Sequence, residues 1–234
     1  SAASDVYKRQ LFILIIGLKR WITLFMNSLT VLDHPVVSHK LAMLRDEDTS
    51  SPEFRKTLLE LGHVMSWPVF THLNVVKKEI TTPMEKTKQW VLNSPFPCIV
   101  SILRAGNGMA DALSATLPEA PIGYIGMQRN ADTHLAEPYF KKLPDQIEER
   151  QIILVDPMLA TGSSASQAAD FLKRDGAKNI LFVCLVAAPE GIAYFHKQHA
   201  EIPIITAALD RELDENSYIL PGLGDAGDRI YGTE

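Results

Sequence analysis

Asp156 stands before Pro157, Met158, Leu159, Ala160, Thr161, Gly162, Ser163 and Ser164, a run that mixes proline, glycine and small hydroxyl side chains. A loop of this kind entering a helix makes an anion site, because unpaired backbone N–H groups and the helix dipole converge there. Thr161, Gly162, Ser163 and Ser164 would cradle a phosphate: glycine admits close backbone approach, and the hydroxyls donate to phosphate oxygens. Asp156 then faces something that carries hydroxyls or positive charge, and a ribose diol fits. The same residues also suit an ordinary βα loop with a well-capped helix, and the loop alone does not separate the two.

Three other chemistries are excluded or weakened. No G-x-x-x-x-G-K-[ST] occurs, so no loop lysine reaches a nucleotide γ-phosphate. Gly162-Ser163-Ser164-Ala165-Ser166 is not the G-x-S-x-G elbow of hydrolases. Gly106-Asn107-Gly108-Met109-Ala110-Asp111 starts like a dinucleotide fingerprint but carries Asp111 where the third glycine belongs.

The elements that must position the loop are legible around it. Ile152 to Val155 is a continuous apolar run, suited to a strand buried on both faces of a parallel sheet. Ala165, Ala168, Ala169 and Leu172 follow at helical spacing, Ser164 and Gln167 can form a capping box, and Gly176 sits where the helix should stop. Further strands are expected at Cys98 to Ile102, Ile122 to Met127, Ile180 to Val186 and Ile204 to Ala207. Between them fall helices that turn Met109, Leu113 and Leu117, and later Ile192 and Phe195, inward. Alternating units of this kind specify an α/β fold, a mostly parallel sheet flanked by helices, with ligands outside the strand C-termini. Near the start, His34-Pro35 opens a helix through Val36, Val37, Leu41 and Leu44. Ser50-Ser51-Pro52-Glu53 opens another, with Phe54, Leu58, Leu61 and Met65 inward. His72 to Glu85 reads as extended structure with a turn at Pro83, and Asn130 to Pro144 as a mobile hairpin or flap. His134 and Glu137 in that flap read as solvated charges.

Four separated stretches carry a resemblance. VDPMLATGSS resembles the phosphoribosyl diphosphate (PRPP) loop of type I phosphoribosyltransferases, and its aspartate-proline form resembles the uracil phosphoribosyltransferases in particular. SILRAGNGM at Ser101 to Met109, GMQRN at Gly126 to Asn130 and YILPGLGDAGDRIYGT at Tyr218 to Thr233 agree in the family's order, and the likeness runs from about Met26 to the C-terminus. It implies the type I fold with an N-terminal helical arm and a C-terminal base-binding hood. It also implies the activity: uracil N1 attacks C1′ of PRPP with inversion, giving UMP and diphosphate. By the same resemblance PRPP is held by Arg104, Arg129, Asp156, Pro157, Met158, Leu159, Ala160, Thr161, Gly162, Ser163, Ser164 and Asp225. Uracil meets main-chain groups of Ile219, Gly224 and Ala226, beside Asp225. The catalytic roles fall to Arg104, Asp156 and Asp225, and the family's strained peptide bond maps to Arg104–Ala105. Mg²⁺ is carried mainly by PRPP oxygens, with no protein metal site. GTP is a possible effector and a homo-oligomer, dimer or tetramer, is expected. One departure stands out: the family's A-T-G-G-S reads A-T-G-S-S here, so Ser163 replaces a glycine and either strains the loop or adds a donor. A noncatalytic pyrimidine-nucleotide sensor on this fold and a phosphoribosyltransferase for another base remain as alternatives.

The composition accommodates that activity. A chain of 234 residues, 46% hydrophobic, can bury one good core, and a formal charge of −5 argues against nonspecific nucleic-acid binding. Cys98 and Cys184 lie in or beside apolar runs without metal-ligand spacing and read as reduced thiols of a cytoplasmic protein. Residues 1–25 differ from the rest. Their apolar runs, broken by Lys19 and Arg20, are too short for a membrane span, and they read as a non-native or upstream leader before a single domain at 26–234. A real membrane anchor is the alternative, and deleting residues 1–25 tests it by solubility and activity.

Overall fold

The computed structural model describes residues 28–129 and 136–233, with the backbone alone at 128, 129 and 136–138. The proposed leader and His134 therefore lie outside the described residues, as does the tip of the expected flap.

Most of the strands belong to one sheet ordered β1 (Leu29–Val31), β10 (Ile204–Leu209), β9 (Asn179–Ala187), β7 (Gln151–Val155), β4 (Cys98–Leu103), β5 (Ile122–Arg129) and β6 (Ala136–Lys142). Every pair along it is parallel except β5 with β6. The central strand β7 pairs Ile152 with Cys98 on one side and with Ile180 on the other. Buried on both faces, it alternates. Ile153 and Val155 join a core with Leu44, Phe54 and Leu58, whereas Ile152 and Leu154 join one with Ala168, Leu172 and Phe195.

Helices α1 (Pro35–Arg45), α2 (Ser51–Phe70) and α3 (Asn107–Thr116) cover the first face. The second carries α4 (Ser163–Arg174) and α5 (Pro189–Gln198), and α6 (Ala226–Tyr231) packs on α2. The anticipated apolar faces are buried, except that Ile192 is half-buried and Val36 is exposed because the inner stripe of α1 is set by Val37, Leu41 and Leu44. The start signal of α2 forms as expected, the Ser50 N–H donating to the Glu53 carboxylate at 3.3 Å. At α4 the start differs. Gly162 at φ +80° ends the loop and Ser163 already begins the helix, so the expected Ser164–Gln167 box is displaced by a backbone turn that needs no side-chain cap.

The segment after α2 is a two-stranded ribbon, β2 (Val75–Thr81) with β3 (Lys86–Leu92), turning through Thr82 to Glu85. Almost all of it is exposed, which is why the polar alternation of β3 gave no strand signal. Among the described residues no helix is long and apolar enough to cross a membrane.

Candidate functional site

The cleft is assembled at the C-terminal ends of β4 and β7, where the sheet delivers Asp156 and the small-residue loop. The loop is stitched down rather than free. Its residues Met158 and Leu159 form β8, pairing parallel with Val186 and Ala187 of β9. Pro157 O accepts from the N–H groups of Leu185 and Val186 at 3.0 and 3.1 Å, and Leu159 O accepts from Ala188 at 3.0 Å. A Cβ on Gly191 of α5 would lie 2.2 Å from Ala160 O, so only glycine lets α5 approach this closely. Gly162 holds the left-handed angle, and its own Cβ would lie 2.7 Å from Gly191 O. Ser163 has ordinary helical angles and its N–H points to Thr161 Oγ1 at 3.4 Å. Of the two readings of Ser163, the strained turn does not hold, because the left-handed angle belongs to Gly162.

Asp156 shows part of its surface at the cleft but is otherwise enclosed, and that burial pushes its carboxyl up to about 7. A hydrogen bond from Met158 N–H at 3.3 Å opposes the rise, and the charge of Asp225 adds to it. Two acids from distant parts of the chain thus lie near enough for the charge of one to act on the other. A cation or a set of hydroxyl donors beside Asp156 would favour its ionised form.

Arg104 follows β4 directly. The non-proline cis bond is Leu103–Arg104, one residue before the expected Arg104–Ala105, because the ladder of β4 runs through Leu103 and the chain turns at the next bond. The exposed guanidinium lies 3.5 Å from Asp228 Oδ1 and 5.5 Å from the centroid of Tyr231, whose hydroxyl donates to Arg104 O at 3.0 Å. Close packing of Gly106 binds this turn to the end of β7: a Cβ there would lie 2.6 Å from Val155 O. A Cβ on Gly227 would lie 3.2 Å from Asp225 Oδ1 and 3.9 Å from Arg104 Nη2, so the C-terminal turn reaches the same place.

That turn is set by glycines at φ +62° and +74°, Gly222 and Gly224. Ile219 and Leu220 form β12, antiparallel to β11 (Glu212–Leu213). Asp225 caps α6 by accepting from Asp228 N–H at 2.9 Å, so it has a local structural task besides its charge effect on Asp156. Ile219 and Ala226 are buried behind it. Arg129 ends β5 at its C-terminal end, and its side chain lies outside the described residues. Sequence reasoning missed Asp228 and Tyr231. The spacing of Asp225 and Asp228, an N-cap with an acid three residues on, was the available signal.

Away from the cleft, Ser166 and His199 pair at 2.9 Å in the manner of a nucleophile and its base. Lys173 Nζ stands 2.7 Å from His199 Nδ1 and can only donate, so Nδ1 accepts and Nε2 carries the proton. Such an imidazole cannot take the Ser166 proton, and both residues are buried. Among the described residues no group of three or more His, Cys, Asp or Glu could hold a metal ion.

Residues 31–233 match the family model described as uracil phosphoribosyltransferase. The uracil phosphoribosyltransferase of Streptococcus salivarius is 50% identical over 209 residues, covering 89% of this chain and all of the relative. That of Staphylococcus aureus strain Newman is 48% identical over the same lengths. Among solved structures, the AQ2163 protein of Aquifex aeolicus superposes with a TM-score of 0.82 at 32% identity, covering 87% of this chain and 97% of its own. Adenine phosphoribosyltransferase from Trypanosoma brucei, solved with AMP, pyrophosphate and ribose-5-phosphate, shares the fold at a TM-score of 0.53 and 12% identity, with 84% and 89% covered.

Proposed function

Since the chain belongs to the uracil phosphoribosyltransferase family, we propose that it transfers the phosphoribosyl group of PRPP to uracil, giving UMP and diphosphate. The observation that carries this reading is the meeting of the Arg104 turn, the Asp156 loop and the Asp225 turn in one cleft. In the reaction the C1′–O bond to diphosphate breaks, a C1′–N1 bond forms and the N1 proton is released. The transition state carries positive charge on the sugar and negative charge on the leaving group, so the chain's task is to position and to stabilise charge. N–H groups at the start of α4 hold the ribose phosphate. Arg104 and Arg129 grip the diphosphate, and ionised Asp156 accepts from the ribose hydroxyls, with Asp225 beside them. Main-chain groups of Ile219, Gly224 and Ala226 pair with uracil. Cytosine has an amino donor where uracil has O4, which leaves a fixed N–H unpaired, and it is rejected.

A magnesium ion that arrives with PRPP would be held mainly by PRPP oxygens and water, and the negative charge of Asp156 and Asp225 nearby would favour it there. When bound it neutralises developing charge on the diphosphate. GTP is proposed as an effector, tested by its effect on turnover. We place the enzyme in the cytoplasm on its free, buried cysteines. A homo-oligomer is supported by the β2–β3 ribbon, whose exposed Val75, Val76, Ile80 and Trp90 have no third strand or helix to cover them among the described residues. Light scattering of the protein and of Ile80→Asp should show the mass falling in the variant.

The deciding assay incubates purified protein with PRPP, Mg²⁺ and each nucleobase, and identifies any nucleotide formed. UMP from uracil alone is expected. Folded protein that forms no nucleotide, or forms one from a different base, overturns the reading.

A further inference from the structure

Beyond the cleft, an arginine from the N-terminal arm and an aspartate from the sheet converge on one residue of the base turn. Arg45 is the last residue of α1, and Asp210 directly follows β10, tied there by its N–H to Ala187 O at 2.8 Å. The two form a forked ion pair, Nη1 to Oδ2 at 2.8 Å and Nη2 to Oδ1 at 2.5 Å. Both then bind the backbone of Gly222. Asp210 Oδ2 accepts its N–H at 2.9 Å, and Arg45 Nη1 donates to its carbonyl at 2.6 Å. The aspartate side chain is 4% exposed and the arginine 22%.

The N–H of Gly222 belongs to the peptide plane shared with Pro221, and its C=O belongs to the plane shared with Leu223. Holding both groups fixes the orientation of two successive planes midway between Ile219 and Gly224, the stretch assigned to the base. No side chain can do this from within, since a Cβ on Gly222 would lie 2.1 Å from Ile219 O. The next residue, Arg211, adds an N–H to Leu220 O at 2.9 Å. Backbone recognition of a flat base depends on donors and acceptors that do not reorient for the wrong ligand, so such a clamp controls selection as well as affinity.

We propose that the Arg45–Asp210 pair is a positioning element for the base: it orients the Gly222 turn and thereby sets the affinity for uracil and its discrimination from cytosine. The proposal rests on the transferase reading above. It locates base selection partly in residues that touch no substrate. Lysine at position 45 would keep the charge but lose the fork, and asparagine at 210 would keep an acceptor for Gly222 but lose the charged partner.

The test is steady-state kinetics of Arg45→Met, Arg45→Lys and Asp210→Asn, varying uracil at saturating PRPP and the reverse, alongside thermal unfolding. Arg45→Met and Asp210→Asn are expected to raise KM for uracil about tenfold or more, with Arg45→Lys between them and the parent. KM for PRPP should stay within about threefold, while the uracil-to-cytosine ratio of kcat/KM falls. A uracil KM within about twofold of the parent's in the folded variants overturns the proposal. So does a PRPP KM that rises in step, which marks general loosening, and so does failure of all three to fold, which makes the pair a fold determinant. If Arg45→Met alone does not fold, the other two decide. A parent protein that makes no UMP strikes the transferase reading instead, before any variant is made.

Discussion

The two halves of the cleft are held in opposite ways. The loop after β7 is built locally: a strand leads into it, a helix leaves it, and β9 alongside supplies its backbone partners within the same sheet layer. The base turn near the C-terminus is built at long range. Arg45 binds Gly222 from the N-terminal arm, and Arg55 donates from α2 to Ile230 O at 2.7 Å. Arg229 returns the favour from α6, donating to Leu44 O, Asp46 O and Leu223 O with its guanidinium 4.6 Å from the Phe54 ring centroid. A phosphate needs only N–H groups at a helix start, which any strand–loop–helix unit can offer. A base needs donors and acceptors in a fixed plane, and a short turn gains that rigidity only from outside.

The largest effects should fall where the halves meet. Asp156→Asn and Arg104→Ala are each expected to lower kcat by on the order of 10²–10³ with the fold intact, because each removes a charge proposed to act at the reacting sugar or diphosphate. Circular dichroism and turnover on the purified variants check this, and near-normal kinetics would remove either residue from the mechanism. Asp156→Asn should not lower thermal stability, since asparagine still accepts from Met158 N–H and no longer costs the burial of a charge.

A pair of glycine variants separates the halves. Gly191→Ala forces a methyl group toward Ala160 O and should raise KM for PRPP about tenfold while leaving that for uracil within about threefold. Gly222→Ala, at φ +62°, should do the reverse. If either variant moves both constants equally, the two halves are one mechanical unit and the contrast fails.

Titration offers a smaller effect confined to one half. A carboxyl raised to about 7 keeps its proton in the folded protein between roughly pH 4 and 7, where the unfolded chain has released it. This contribution to stability is therefore lost as pH rises through that window, with a ceiling of about 4 kcal/mol. The ribose hydroxyls need an ionised acceptor, so KM for PRPP should fall several-fold between about pH 6 and 8 while that for uracil changes less. Asp156→Asn should flatten both the stability slope and the PRPP dependence. A slope that persists in the variant assigns the titration elsewhere.

This division also explains what could be read before any coordinates. The sheet, the inward faces of the helices and the Asp156 loop follow from apolar periodicity and turn residues, which act over a few positions. Ile152 to Val155 are buried, as are Ala165, Ala168, Ala169 and Leu172, as their spacing requires. The linkage of Arg45 to Asp210 spans 165 positions, and nothing in α1 marks its terminal arginine from any exposed one. Tyr231 was hidden for the same reason, since its partner Arg104 is 127 positions away, and Asp228, 124 positions from Arg104, was marked only by its spacing from Asp225. The family resemblance implied which residues contact the base, but it carried no information on what holds them still.

Ser163 gives the smallest effect. The glycine it replaces in the resemblance would suit a left-handed angle, but that angle is taken by Gly162, and Ser163 is the first residue of α4. Serine there costs no backbone strain, and glycine would add freedom to the unfolded chain and to the helix start. Ser163→Gly should therefore lower thermal stability slightly, by about 0.5–1 kcal/mol, and should change KM for PRPP by no more than about threefold. Unfolding curves and PRPP saturation on the variant measure both. A tenfold tightening would mean that the hydroxyl obstructs the phosphate, and a tenfold loss that it is an essential donor. Either outcome would show that this half of the cleft depends on side chains, and the contrast between a backbone cradle and a clamped turn would have to be redrawn.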